Sequence, residues 1–213
     1  MPTRHFVGLD LGQAQDFTAL AVLARPRLTG REPVAERKPP YAVPHLQRFP
    51  LGTPYPVIVS AVVDLLRTPQ LRGSMLVVDQ TGVGRAVVDM LTDAMKGKVF
   101  GDFCPLTITS GHEVTLSESR QFRVPKKELV GSLQVLLQTR RLRIAKSLPN
   151  AAILVRELET FKVKITELAN ESFGAWREGQ HDDLVLAVAM AAWAGERGLP
   201  HEGPIGMPRV IGG

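Results

Sequence analysis

The sequence is poor in cysteine and in aromatic residues. Its single thiol, Cys104, excludes an internal disulfide framework and any Cys-rich zinc site. Aromatic residues make up 6% of the chain, with 2 Trp and 2 Tyr. That is too few for the stacked platforms of a single-strand nucleic-acid binder. No apolar run reaches the roughly 18 residues that a membrane helix needs. The N-terminus, MPTRHFVGLDLG, becomes strand-like at once, which argues against a secretory signal. Nothing fits G-x-x-x-x-G-K-[ST], so there is no Walker-type ATPase site; the nearest candidate, Thr81-Gly82-Val83-Gly84, lacks the lysine. A soluble, reducing, cytoplasmic setting is the expectation.

Against these absences stand 213 residues, 44% hydrophobic and 22% charged. That suits one domain with a real core. Lys and Arg number 26 against 21 Asp and Glu, a net charge of +5, with a pI near 9.7. The excess permits a nucleic-acid partner without proving one.

The order of apolar runs predicts an α/β fold. Residues His5 to Asp10 and Phe17 to Ala24 read as a β-hairpin. Pro26, Pro33, Pro39, Pro40, Pro44, Pro50, Pro54 and Pro56 make residues 26–56 a loop-like insert, with one strand near Val43 to Phe49. Helix is predicted for Val57 to Arg67, strand for Ser74 to Gln80, helix for Val83 to Met95 and strand for Phe103 to Thr109. Residues 111–119 read as loop. A helix opens at Val124-Pro125-Lys126-Lys127-Glu128 and runs to about Arg140, followed by a short edge element, Leu142 to Ala145. Asn150 to Thr160 is helical in phase. Phe161 to Leu168 (FKVKITEL) alternates and reads as a half-exposed strand, with Phe173 to Trp176 as its return. Asp182 to Glu196 is an apolar closing helix. The domain is expected over 1–197, and residues 198–213, rich in Gly and Pro, are expected to be a disordered tail.

Carboxylates stand where a core should be. Asp10 interrupts Val7-Gly8-Leu9, Asp79 ends Leu76-Val77-Val78, and Asp182 and Asp183 open the last helix. A buried ionised carboxylate costs several kcal/mol unless paired or metal-bound. Each has an ordinary structural reading, as a turn former or a helix cap. Together they fit something else, because strand-end acids on neighbouring strands converge at one crevice. Such a cluster suits hard divalent cations. Two ions about 3.5–4 Å apart activate water and stabilise the leaving oxygen of a phosphodiester. Candidate phosphate contacts are Arg85, Arg120, Arg123, Lys126, Lys127, Arg140, Arg141, Arg143 and Lys146, with Lys162 and Lys164 on one strand face. The Thr81 to Gly84 turn is either a phosphate-approaching loop or a plain β-α turn.

Four segments carry a resemblance. They are Phe6-Val7-Gly8-Leu9-Asp10-Leu11-Gly12 with Asp16 and Thr18; Val77-Val78-Asp79-Gln80-Thr81-Gly82-Val83-Gly84; Pro125-Lys126-Lys127-Glu128-Leu129 leading to Arg141-Leu142-Arg143-Ile144; and Gly179-Gln180-His181-Asp182-Asp183-Leu184-Val185. In order and spacing the sequence resembles the nuclease domain of phage large terminase subunits, within the RNase H-like superfamily. The resemblance implies a mixed central β-sheet flanked by helices on both faces. It implies a double-stranded DNA endonuclease that cuts concatemeric genomes, using two Mg²⁺ or Mn²⁺ ions. Asp10 would then bridge the ions, Asp79 and Asp183 would be ligands, and Asp182 a ligand or its support. His181 and Asp16 would stand behind them. The implied partners are a terminase ATPase domain, a small terminase subunit and a portal, in the host bacterial cytoplasm, with no membrane. The alternatives are a Holliday-junction resolvase or other RNase H-like nuclease, an actin-like kinase fragment, and a non-catalytic DNA-binding module.

Overall fold

Strand β1 (Thr3–Asp10) runs through the interior, and its last five residues are all buried. Its side chains therefore alternate between two cores rather than between core and water. Phe6 joins one core and Val7 and Leu9 join the other. A strand of this kind belongs at the centre of a sheet with helices on both faces. That is the arrangement in the computed structural model, which describes residues 3–12, 16–27, 38–96, 101–117, 121–168 and 182–197, with 161–168 as backbone alone.

The remaining strands are β2 (Ala19–Pro26), β3 (Tyr41–Arg48), β4 (Met75–Asp79), β5 (Asp102–Thr109), β6 (Thr115–Leu116), β7 (Phe122–Pro125) and β8 (Leu142–Ile144). They form an 8-stranded sheet in the order β6-β7-β5-β4-β1-β2-β3-β8. β2 runs antiparallel to both β1 and β3. β4 is parallel to β1 and to β5, β7 is parallel to β5, and β8 is parallel to β3. So β1, β3, β4, β5, β7 and β8 all end at the same edge of the sheet. Helices α1 (Tyr55–Leu66) and α2 (Gly84–Met95) cover one face. Helices α3 (Lys126–Gln138), α4 (Ala151–Leu168) and α5 (Asp183–Arg197) lie on the other.

Helix α5 is apolar all round, and every residue from Asp183 to Gly195 is buried. Its many alanines let it lie unusually close to β1. A Cβ added at Gly8 would overlap the Ala187 carbonyl. The small side chain at residue 8 therefore sets the height of α5 above the sheet. That height in turn fixes where the first residue of α5 meets the end of β1.

The predicted hairpin, third strand, β4-α2 unit and edge element are all present. Two expectations are overturned. Residues 161–168 continue α4 as helix and form no strand. Phe161 and Ile165 are four apart as well as alternating, so the same residues satisfy both periods, and continuation of the preceding helix wins. Lys162 and Lys164 therefore do not share a strand face. The loop read at 111–119 contains β6, and β7 precedes α3. Pro125 closes β7 with an extended backbone and also opens the helix, which hid the strand. The return strand at 173–176 and the tail at 198–213 lie outside the described residues.

Replacing Gly8 by Val is expected to destabilise the fold by about 3 kcal/mol or more, since a rigid helix backbone has to give way. Urea unfolding of the purified variant measures this. A stability within about 0.5 kcal/mol of the parent, the usual range for a harmless change, contradicts the close approach.

Candidate active site

Leu9 pairs with Val78 in the parallel register of β1 and β4. The next residues, Asp10 and Asp79, therefore leave the sheet side by side at the shared C-terminal edge. Asp10 is only 8% exposed. No described residue donates a hydrogen bond to its carboxylate. Burial raises its pKa well above the usual range, and the charges of Asp79, Asp183 and Asp182 raise it further, while Lys126 opposes them. The turn after Asp10 is fixed by the Gly12 amide, which donates to Thr18 Oγ1 at 3.1 Å, and by Tyr55, whose hydroxyl donates to the Gly12 carbonyl at 3.1 Å.

Asp79 is held differently. Thr81 donates to its Oδ1 twice, from the amide at 2.9 Å and from the hydroxyl at 2.5 Å. The Ile108 amide in turn donates to Thr81 Oγ1 at 3.1 Å. Burial raises the Asp79 pKa, and these donors pull it back part of the way. The glycines of this turn have structural work. Gly82 has φ +60°, and a Cβ on Gly84 would overlap the Asp79 carbonyl.

The third contribution comes from the start of α5. Asp183 is buried and accepts from Arg48 Nη2 at 3.1 Å; Asp182 accepts from Lys126 Nζ at 3.3 Å. Arg48 ends β3 and lies over the Phe17 ring, 3.6 Å from its centroid. The α5 N-terminus has an unexpected cap. Glu157 of α4 accepts from the amides of Leu184 and Val185 at 3.0 and 3.1 Å, with one oxygen serving both. Its other oxygen, Oε1, is buried without a partner among the described residues. Burial is the main reason the Glu157 pKa rises to about 7, with the Asp183 charge adding to it.

The structure thus brings Asp10, Asp79, Asp182, Asp183 and Lys126 to one edge. No group of three or more His, Cys, Asp or Glu side chains among the described residues is arranged to hold a metal ion. The cations on Asp182 and Asp183 are the protein's own. Arg85, exposed in the first turn of α2, and Lys127, bonded to His112 Nδ1 at 3.0 Å, flank the same edge.

Three of the other expected DNA contacts, Arg140, Arg141 and Arg143, are elsewhere. Tyr41 at the start of β3 bonds to the Arg141 carbonyl at 2.7 Å. Arg140 and Arg141 therefore sit at the opposite end of β3, about 23 Å from Arg48 at 3.3 Å per residue. Arg143, on β8, pairs with Ala42 near that same far end. Arg141 is also buried and committed. It binds Glu196 at 2.7 and 2.8 Å and the Pro39 carbonyl at 3.0 and 3.2 Å, so it clamps the fold instead of meeting DNA. Asp16 is exposed, and its backbone closes tightly on Gly12. His181 and Arg120 lie outside the described residues. Sequence reasoning missed Arg48 and Glu157. Neither belongs to a motif, and Arg48 lies in the proline-rich stretch read as an insert.

Comparison with solved structures identifies the fold. The large terminase nuclease from thermophilic phage G20c superposes with a TM-score of 0.53 at 22% identity, covering 89% of this chain and 81% of that one. The human cytomegalovirus terminase nuclease domain, soaked with Mn, gives a TM-score of 0.49 at 13% identity over 88% of this chain and 81% of its own. No family model and no curated protein matches the sequence. The chain has the RNase H-like α/β fold of the phage terminase nuclease, as the sequence implied.

The Glu157 cap has a pH signature. Its pKa of about 7 in the fold lies above its ordinary 4.5. Its stabilising share is therefore complete below pH 4.5 and is lost as the pH rises through about 7. Urea midpoints measured across this window are expected to fall more steeply in the parent than in Glu157→Gln, which keeps an acceptor but cannot ionise. Parallel slopes contradict the raised value.

Proposed function

We propose that this chain is a metal-dependent DNA endonuclease of a viral genome-packaging terminase, cutting concatemeric double-stranded DNA by phosphodiester hydrolysis. One observation carries the reading: Asp10, buried and without a donor among the described residues, lies among three further carboxylates at the C-terminal edge of a sheet whose fold is that of a phage large terminase nuclease. A buried carboxylate cluster of this kind calls for positive charge. Its donors are all oxygens, which suits Mg²⁺ or Mn²⁺. In this reading Asp10, Asp79 and Asp183 hold two ions, and Asp182 acts as ligand or support. Such ions, when bound, lower the pKa of water and stabilise the leaving oxygen of a phosphodiester.

The chain's own residues prepare the site. Thr81 fixes the Asp79 carboxylate in one orientation. Glu157 holds the first turn of α5, and so holds Asp183 against Asp10. The closeness of α5 to β1 excludes water from behind the acids. Arg85 and Lys127 offer phosphate contacts on either side of the edge, which position DNA without reading its sequence. The reading brings with it a terminase ATPase domain, small subunit and portal as partners, and the host bacterial cytoplasm as the setting. No helix among the described residues is long and apolar enough to cross a membrane.

The test is plasmid nicking and cutting with Mg²⁺ or Mn²⁺. The expected result is cleavage abolished by EDTA and reduced about 100-fold or more in Asp10→Asn, roughly 2.7 kcal/mol of barrier. A folded Asp10→Asn that cuts as fast as the parent sinks the proposal. Preference for four-way junctions over linear duplex supports the resolvase alternative instead.

A further inference from the structure

Two basic side chains stand on the acids proposed as ligands and on their neighbour, and they come from different elements. Arg48 reaches Asp183 from the end of β3, and Lys126 reaches Asp182 from the start of α3. Both are well covered: the side chain of Arg48 is 15% exposed and that of Lys126 24%. They are not ordinary surface ion pairs. The Lys126 charge also acts on Asp10 and on Asp79, so it faces the whole cluster.

The Arg48 pair is incompletely made. A guanidinium and a carboxylate can join through two parallel bonds. Among the described residues, Arg48 bonds to Asp183 through Nη2, and its Nε is buried with no partner. Nearby, Glu157 Oε1 is a buried acceptor with no donor among the described residues, and the Arg48 charge already acts on that carboxyl. A spare donor and a spare acceptor beside one ion pair mean that the network is not closed. Arg48 can therefore leave Asp183 without losing every anionic neighbour.

We propose that Arg48 and Lys126 are resident counter-cations of the acidic edge, which a divalent ion must displace to reach Asp183 and Asp182. They are positioning residues: they hold Asp183 and Asp182 in ion pairs until a metal outcompetes them. This explains why four carboxylates share an edge while no three of them are arranged around a metal position among the described residues. The inference rests on the metal-dependent reading above and adds how metal loading is controlled.

The experiment is calorimetric titration of the full chain with Mn²⁺ at pH 8, without DNA. The variants are Arg48→Gln, Lys126→Gln and Arg48→Lys, each checked for folding by thermal melting. Removing either positive charge is expected to tighten Mn²⁺ binding about threefold or more, while Arg48→Lys, which keeps the charge, stays near the parent. If Arg48→Gln does not fold, Lys126→Gln carries the test alone. Mn²⁺ affinity unchanged or weakened in the folded neutral variants overturns the counter-cation role and leaves the metal reading intact. A parent chain that binds no Mn²⁺ overturns both.

Discussion

The acidic edge depends on how closely α5 lies against β1. Gly8 permits that approach, and the alanines of α5 fill it. The consequence is electrostatic as well as steric. A helix N-terminus arrives beside the ends of two parallel strands, carrying Asp183 with it. The four carboxylates are brought together by backbone packing, since no attraction between them favours it. Hydrophobic burial along α5 supplies the free energy that like-charge repulsion at its first residues consumes.

The same molecule handles partly buried acids in two ways. At the far end of the sheet, burial alone would raise the pKa of Glu196, but Arg141 and Tyr41 bond to it and bring it below the ordinary range. Arg141 is oriented by the Pro39 carbonyl, so both partners are fixed. Arg4 and Asp102 make a further pair at 3.4 Å. At the near end, Asp10 has no such donor among the described residues and its pKa rises. One end is closed by fixed hydrogen-bonded cations, and the other holds more carboxylates than the cations that face them. That imbalance is what the proposed function takes as its starting point.

Much of this was legible in the sequence, and the reasons are particular. Asp10 and Asp79 each follow an apolar run long enough to be a buried strand, and an acid there is conspicuous whatever the fold. Asp182 and Asp183 stand before an unbroken apolar helix. What failed was reading that needed tertiary distance. Arg140, Arg141 and Arg143 lie close in sequence to Lys126 and Lys127, but α3 carries the chain to the other end of the sheet. A helix of 13 residues spans about 20 Å. Glu157 looks like any charged residue on an amphipathic helix, because its role depends on the amides of Leu184 and Val185, 27 and 28 positions away. Residues 161–168 fit two periods at once, and only the continuing helix decides between them.

The charge balance changes meaning accordingly. A surplus of +5 looks small for a DNA-binding surface. Part of the positive charge is also spent inside: Arg4, Arg48, Lys126 and Arg141 all face carboxylates within the fold. Two of these, Arg4 and Arg141, serve the fold at the far end. The other two stand on acids whose proposed partners are divalent ions. Under the proposed reading, each ion that replaced a lysine or arginine there would add its own charge and also free a basic side chain at the edge where a phosphate backbone would lie. Metal loading and DNA affinity would then be linked through the same two residues, each binding event favouring the other.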